Sequence, residues 1–279
     1  MSQRCLLSAA VAKRAIEFRV ATGLSFENPC DIYEAISEYG IDLQFVDIPS
    51  LEGMYLEEPE ARRICVSAHR PVGRQHYTAA HELGHHLLGH GSQFDTVVGD
   101  LGQVKSLTPE ERAADAFARY VLMPPRAVQA AFRSRGFNLT ALEPVAVYRA
   151  ACWLGVGYAT LLNQMWHSLR ILQPSHYRRL SKASPKTIKA KLTGATPQGD
   201  VWPLDSVWAD RKLHAQLGDL IIGLRPGYST RTLTESDDSI YVASNVGEAI
   251  FPLATGRTLT ICVSRAAYVG FYDYRYLPE

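Results

Sequence analysis

Arg74-Gln75-His76-Tyr77-Thr78-Ala79-Ala80-His81-Glu82-Leu83-Gly84-His85-His86-Leu87-Leu88 is the stretch on which the fold turns. Its apolar residues (Tyr77, Ala79, Ala80, Leu83, Leu87, Leu88) recur as in a buried helix, and Gly89-His90-Gly91 closes it. The spacing predicts a helix over 74–88. Residues four apart share a helix face, so His81 and His85 can reach one ion. At about 100° per residue, His85 lies about 40° from His81 and Glu82 about 100° away. Glu82 therefore stands beside the ion rather than on it. Water on zinc has its pKa lowered to about 7, and an adjacent carboxylate can take its proton. Burying histidines and a glutamate here without a cation would be costly.

A catalytic zinc site takes three protein ligands and keeps one position open. The third is expected downstream, in Thr108-Pro109-Glu110-Glu111-Arg112-Ala113-Ala114-Asp115. Thr108 caps a helix, Pro109 suits its first position, and Glu111 and Asp115 share a face. Glu111 completes a His2Glu set, and Asp115 can hold the free ring nitrogen of a ligand histidine. The competing readings are that Glu111 is only a cap acid, or that Glu110 is the ligand instead. His86, about 140° around the helix and beside Glu82, reads as a partly exposed support for the site. His90, about 180° from His81, reads as a cap or surface residue. Tyr77 is either core packing or an oxyanion contact; His76 and Arg74 complete the candidate substrate contacts. Such a site also tolerates Mn or Fe.

Outward from this core, residues 5–21 read as a helix. Asn28-Pro29 starts another that Gly40 stops. Segments 41–48, 53–56 and 63–68 read as strands of a small antiparallel sheet. Residues 92–107 have no clear period and read as a surface loop. The helix from 109 ends at Pro124-Pro125, and another covers 125–134. Residues 139–169 form a helical hairpin around Leu154-Gly155-Val156-Gly157, with the shape of a helix-turn-helix. Its face is Leu, Val, Trp, Tyr and Met, which favours packing over DNA contact. Residues 173–200 set Arg178, Arg179, Lys182, Lys186, Lys189 and Lys191 against Asp200 alone, a basic linker. Beyond it, 219–224, 230–233, 239–243, 249–253 and 257–263 read as strands, with a helix at 207–216. The class is α+β: a helical peptidase-like domain over 1–172 with a small sheet and the 139–169 hairpin, then a smaller, mainly β domain over 201–279.

The chain has 279 residues, 29 Lys plus Arg against 28 Asp plus Glu, and a formal net charge of +1. That disfavours a globally basic nucleic-acid binder. Its five cysteines are an odd number with no CxxC, so free thiols in a cytoplasmic protein are expected rather than a disulfide framework. No apolar run is long enough to span a membrane. Near the start, Lys13, Arg14, Glu17 and Arg19 follow a short apolar run, which reads as an amphipathic helix rather than a cleaved leader.

Gly53-Met54-Tyr55-Leu56, the 74–85 stretch and Glu111-Arg-Ala-Ala-Asp115-Ala-Phe117-Ala-Arg-Tyr-Val-Leu122-Met123-Pro124 resemble the ImmA/IrrE metallopeptidases. That family commonly shows RxRFTxAHELGH and then ExxAN, FA and LLMP. The resemblance covers about 28–172. It departs at His76 (usually Arg), Tyr77 (Phe) and Asp115 (Asn); the last keeps an acceptor and is similar to the ExxxD arrangement of other zinc peptidases. The resemblance implies one zinc per chain and an endopeptidase whose substrate is a partner helix-turn-helix repressor, cut to release stress-response or mobile-element genes. It also implies that 201–279 hold the position of a GAF-like sensor. The rival expectation is a DNA-binding or partner-binding regulator whose zinc site turns over little; a zinc hydrolase of a small amide is a third.

Overall fold

A computed structural model describes residues 3–59, 61–96, 108–237, 239–253 and 256–278. They fall into two compact units: one within Met1–Gln129 joined by Val269–Tyr272, the other within Ala130–Tyr268 and Asp273–Glu279. The expected boundary, a linker at 173–200, is instead two short helices inside the second unit.

The first unit begins with α1 (Gln3–Ala21) and α2 (Ile32–Glu38), followed by β1 (Asp42–Val46), β2 (Leu51–Glu57) and β3 (Arg62–Ser67). Then come α3 (Val72–Leu88), β4 (Gln93–Thr96), α4 (Pro109–Leu122) and α5 (Pro125–Arg133), the last running into the second unit. The expected loop at 92–107 thus starts as a strand; its remainder, 97–107, lies outside the described residues. The sheet order is β12-β1-β3-β2-β4, where β12 is Gly270–Phe271. The pairings β2–β3 and β2–β4 are antiparallel, but β1 runs parallel to β3. The expected all-antiparallel sheet is corrected there, because β2 is not inserted between its sequence neighbours but lies outside β3.

One face of this sheet carries α3, whose Val72, Ala79, Ala80 and Leu83 are buried. α4 packs against α3 at short range. A Cβ on Gly84 would meet Ala114 Cα and Phe117 Cδ1 at 3.1 Å each. Glycine inside a helix costs up to about 1 kcal/mol relative to alanine, and here its missing side chain lets the two backbones approach. Phe18 of α1 also meets Phe117 edge-on, with ring centroids 6.1 Å apart. The fully buried Arg19 donates to the Val121 carbonyl at 2.5 Å and the Asn28 carbonyl at 2.7 Å. A cation at the C-terminal end of α4 satisfies orphan carbonyls where the helix dipole is negative.

The second unit holds α6 (Pro144–Leu154), α7 (Tyr158–Asn163), α8 (Pro174–Leu180) and α9 (Pro185–Thr193). It continues with β5 (Val201–Pro203), β6 (Arg211–Gln216), β7 (Leu220–Ile222), β8 (Leu233–Asp237), β9 (Ile240–Ala243), β10 (Gly247–Pro252) and β11 (Thr258–Ser264). Helices 144–154 and 158–168 meet at 102°, the angle of a helix-turn-helix. Tyr158, Leu161 and Leu162 of the second are buried, so that face is packed inside the unit. Two small sheets follow, β10-β11-β6 and β5-β7-β9-β8. The expected helix at 207–216 is a single 3-10 turn, Ser206–Trp208, followed by β6. Parallel pairing to β11 overrides its helical leaning, Leu259↔Arg211 through Ser264↔Gln216. Among the described residues no single helix is long and apolar enough to cross a membrane.

Candidate metal centre

α3 carries the two histidines on one face, as the four-residue spacing requires. His81 Nε2 and His85 Nε2 stand 3.1 Å apart. From α4, Glu111 reaches both: Oε2 lies 3.2 Å from His81 Nε2 and Oε1 lies 3.5 Å from His85 Nε2. Thr108 makes this possible by capping α4 through the Glu111 backbone, its Oγ1 accepting from Glu111 N at 3.2 Å. The cap uses the main chain and leaves the Glu111 carboxylate for the histidines. Glu110 is exposed at the helix start and is not among the clustered donors.

A fourth donor joins them. Asp95 of β4 places Oδ2 3.1 Å from His81 Nε2, and the four donor atoms from His81, His85, Asp95 and Glu111 lie within 4.8 Å of one another. Bonds of about 2.0–2.2 Å to a tetrahedral cation set donor separations of about 3.3–3.6 Å. The four short separations, 3.1 to 3.5 Å, lie near that size, and the whole set falls within 4.8 Å.

The electrostatics of the metal-free chain ask for positive charge at this point. Burial alone would push His81 down. Asp95 and Glu111 overcome it and raise its pKa to about 10. His85 is pushed down to about 4 by burial and then by the charge on His81. Asp95 is held below the ordinary carboxylate range: burial opposes this, and the bond to His81 prevails. One proton shared among two imidazoles and two carboxylates is a weak substitute for a divalent ion.

Glu82 is fully buried, and neither carboxylate oxygen has a hydrogen-bond partner among the described residues. Burial raises its pKa well above the ordinary value. Buried polar atoms are almost always satisfied, so a carboxylate left this way marks a place where a further polar group belongs. Its position depends on Gly53 in β2. A Cβ there would lie 2.6 Å from Glu82 Oε1 and 2.4 Å from Thr78 Cγ2.

The other candidates fall around the cluster rather than in it. Asp115 receives the Tyr77 hydroxyl at 2.5 Å and pairs with Arg119 at 2.6 Å, so its carboxylate is engaged there and not with a ring nitrogen of His81 or His85. Tyr77 is correspondingly tied to α4; burial and Asp115 raise its pKa. His86 faces away toward Tyr55, whose hydroxyl is 2.6 Å from its Nδ1. His76 is buried with its ring edge-on to Tyr33, centroids 4.4 Å apart. Arg74 pairs with Glu52 at 2.8 Å.

Sequence reasoning missed Asp95 and misplaced His90. The four residues of β4 are too few to show a period of two. His90 follows Gly89, which takes the left-handed conformation at φ 71° and lets the chain turn back. Its Nδ1 comes 2.9 Å from His85 Nδ1, the nitrogen opposite the clustered Nε2. That contact, rather than Asp115, orients the His85 ring.

Two helices presenting imidazoles and a carboxylate to one point, with a second buried glutamate alongside, define a metallopeptidase-type centre. Residues 36–150 match a peptidase family model described as the IrrE N-terminal-like domain. A search of curated proteins gives no match.

Proposed function

We propose that this chain is a zinc-dependent endopeptidase that cuts a partner helix-turn-helix repressor and so releases stress-response or mobile-element genes. The observation that carries the catalytic part is the pairing of a cation-sized donor set with Glu82, buried and without a hydrogen-bond partner among the described residues. Zinc is favoured by two imidazoles clustered with carboxylate oxygens. His81, His85 and Glu111 would hold it. Held there, the ion supplies Lewis acidity to a water and to the scissile carbonyl.

The remaining chemistry belongs to the chain. Beside a divalent charge, Glu82 is drawn back toward its ionised form. It takes a proton from the attacking water and delivers it to the leaving amine. Gly53 keeps the space that Glu82 needs, and His90 fixes the His85 tautomer that leaves Nε2 free to donate its lone pair. The repressor as substrate and the cytoplasm as location come from the family resemblance and from the thiol content.

The experiment is a paired digestion of the helix-turn-helix protein encoded beside this chain. Wild type is expected to cut it at one bond. Glu82→Gln is expected to keep its metal and lose at least about 10²–10⁴-fold in rate, the usual contribution of general acid–base catalysis. An intact partner in the presence of stoichiometric zinc contradicts the substrate; equal cutting by both proteins contradicts the role of Glu82.

A further inference from the structure

We propose that Asp95 is a fourth, displaceable metal ligand that holds the centre latent until a ligand takes its place. This rests on the metal reading above and deepens it. A catalytic zinc site keeps one coordination corner open, whereas four protein ligands make a closed, structural one. His81, His85 and Glu111 account for three corners. Asp95 Oδ2 stands 3.1 Å from His81 Nε2, and the donor atoms of all four residues lie within 4.8 Å of one another.

The backbone aims it there. β4 pairs with β2 as Leu51↔Thr96 and then Gly53↔Asp95, with a register shift between Leu51 and Gly53. The extra residue is Glu52 of β2, so it is β2 that bends here, and bulges concentrate beside active sites. The partner of Asp95 at the shift is Gly53, the residue against which Glu82 packs. Among the described residues β4 is also the end strand of its sheet, paired with β2 on one side. A strand paired on one side moves at lower cost than an inner strand such as β3. Charge agrees: Asp95 and Glu111 with two neutral imidazoles balance a divalent ion, so the closed centre is neutral. Glu82, meanwhile, has no hydrogen-bond partner among the described residues. It acquires one only when Asp95 yields its corner.

The test uses the full chain loaded with Co(II), as wild type, Asp95→Ala and Asp95→Asn, with acetohydroxamate as the probe of an open corner. Two quantities are read: metal affinity by chelator competition, and hydroxamate affinity by the visible Co(II) spectrum. Neither needs a peptide substrate. Both variants are expected to bind metal about 10–100-fold more weakly, at least the loss seen when an outer partner of a ligand is removed. Both are expected to bind hydroxamate at least about tenfold more tightly, since no side chain competes for the corner. Unchanged metal affinity overturns the assignment of Asp95 as a ligand. Weaker metal binding with unchanged or weaker hydroxamate binding overturns latency. Failure of wild type to retain cobalt overturns the metal reading itself, and this inference with it.

Discussion

Glu82 and Gly53 depend on each other across β2 and α3. With a Cβ 2.6 Å from Glu82 Oε1 and 2.4 Å from Thr78 Cγ2, Gly53→Ala forces the carboxylate or the strand to move. Overpacking a filled site costs about 1–3 kcal/mol. Gly53→Ala is therefore expected to lower the denaturation midpoint and to abolish peptide cleavage while metal is retained; unaltered cleavage contradicts the placement of Glu82. His81 gives a pH signature in the metal-free chain. Its pKa rises from near 6.5 unfolded to about 10 folded. The stability this contributes is complete below pH about 6.5 and is lost as pH rises toward 10. His85, lowered to about 4, does the reverse: its contribution is present above about 6.5 and is lost as pH falls toward 4. Thermal midpoints of metal-free wild type are expected to fall relative to His81→Gln between about pH 7 and 10, and parallel curves contradict the clustered charges. The His81, Glu82 and His85 motif was legible because helix geometry alone fixes which of its residues face one ion. The partner of each was not: His90, not Asp115, meets the His85 ring, because that contact depends on how the chain leaves its helix.

α3 and α4 approach closely because Gly84 has no side chain to separate them, and Glu111 reaches the histidines only at that separation. The start of α4 sets its rotation. Thr108→Ala removes the bond from Glu111 N to Oγ1 and is expected to cost about 1 kcal/mol. It also loosens the first turn, where Glu111 sits. Zinc affinity measured by chelator competition is therefore expected to fall together with the thermal midpoint. A lower midpoint with unchanged affinity would mean that Glu111 is held by something other than its cap. Helix limits were readable from such devices: Thr108-Pro109 starts α4 and Gly89 ends α3. Strands were less so. Period two marks a strand but not its partner, and the parallel pairing of β1 to β3 is decided by the crossover between them. β6 and β4 were lost because one has a helical leaning and the other only four residues.

Across the whole molecule, the clustered donors come from 81, 85, 95 and 111, with Gly53 contributing from a further strand, all in the first unit. No window of sequence contains them together. The helix start at Thr108-Pro109 and the need for a third ligand pointed to Glu111, with Glu110 as its rival, and the family resemblance agrees with Glu111. It gave no comparable help over 173–200, where prolines and basic residues suggested a linker and Ser184 instead caps a helix. X-ray absorption at the zinc edge, on the intact chain loaded with one equivalent, addresses the central claim most directly. The predicted spectrum is two imidazole nitrogens and carboxylate oxygen at about 2.0–2.2 Å with no sulfur, losing imidazole scattering in His85→Ala. A sulfur shell near about 2.3 Å, or a zinc environment unchanged by removing His85, would contradict it.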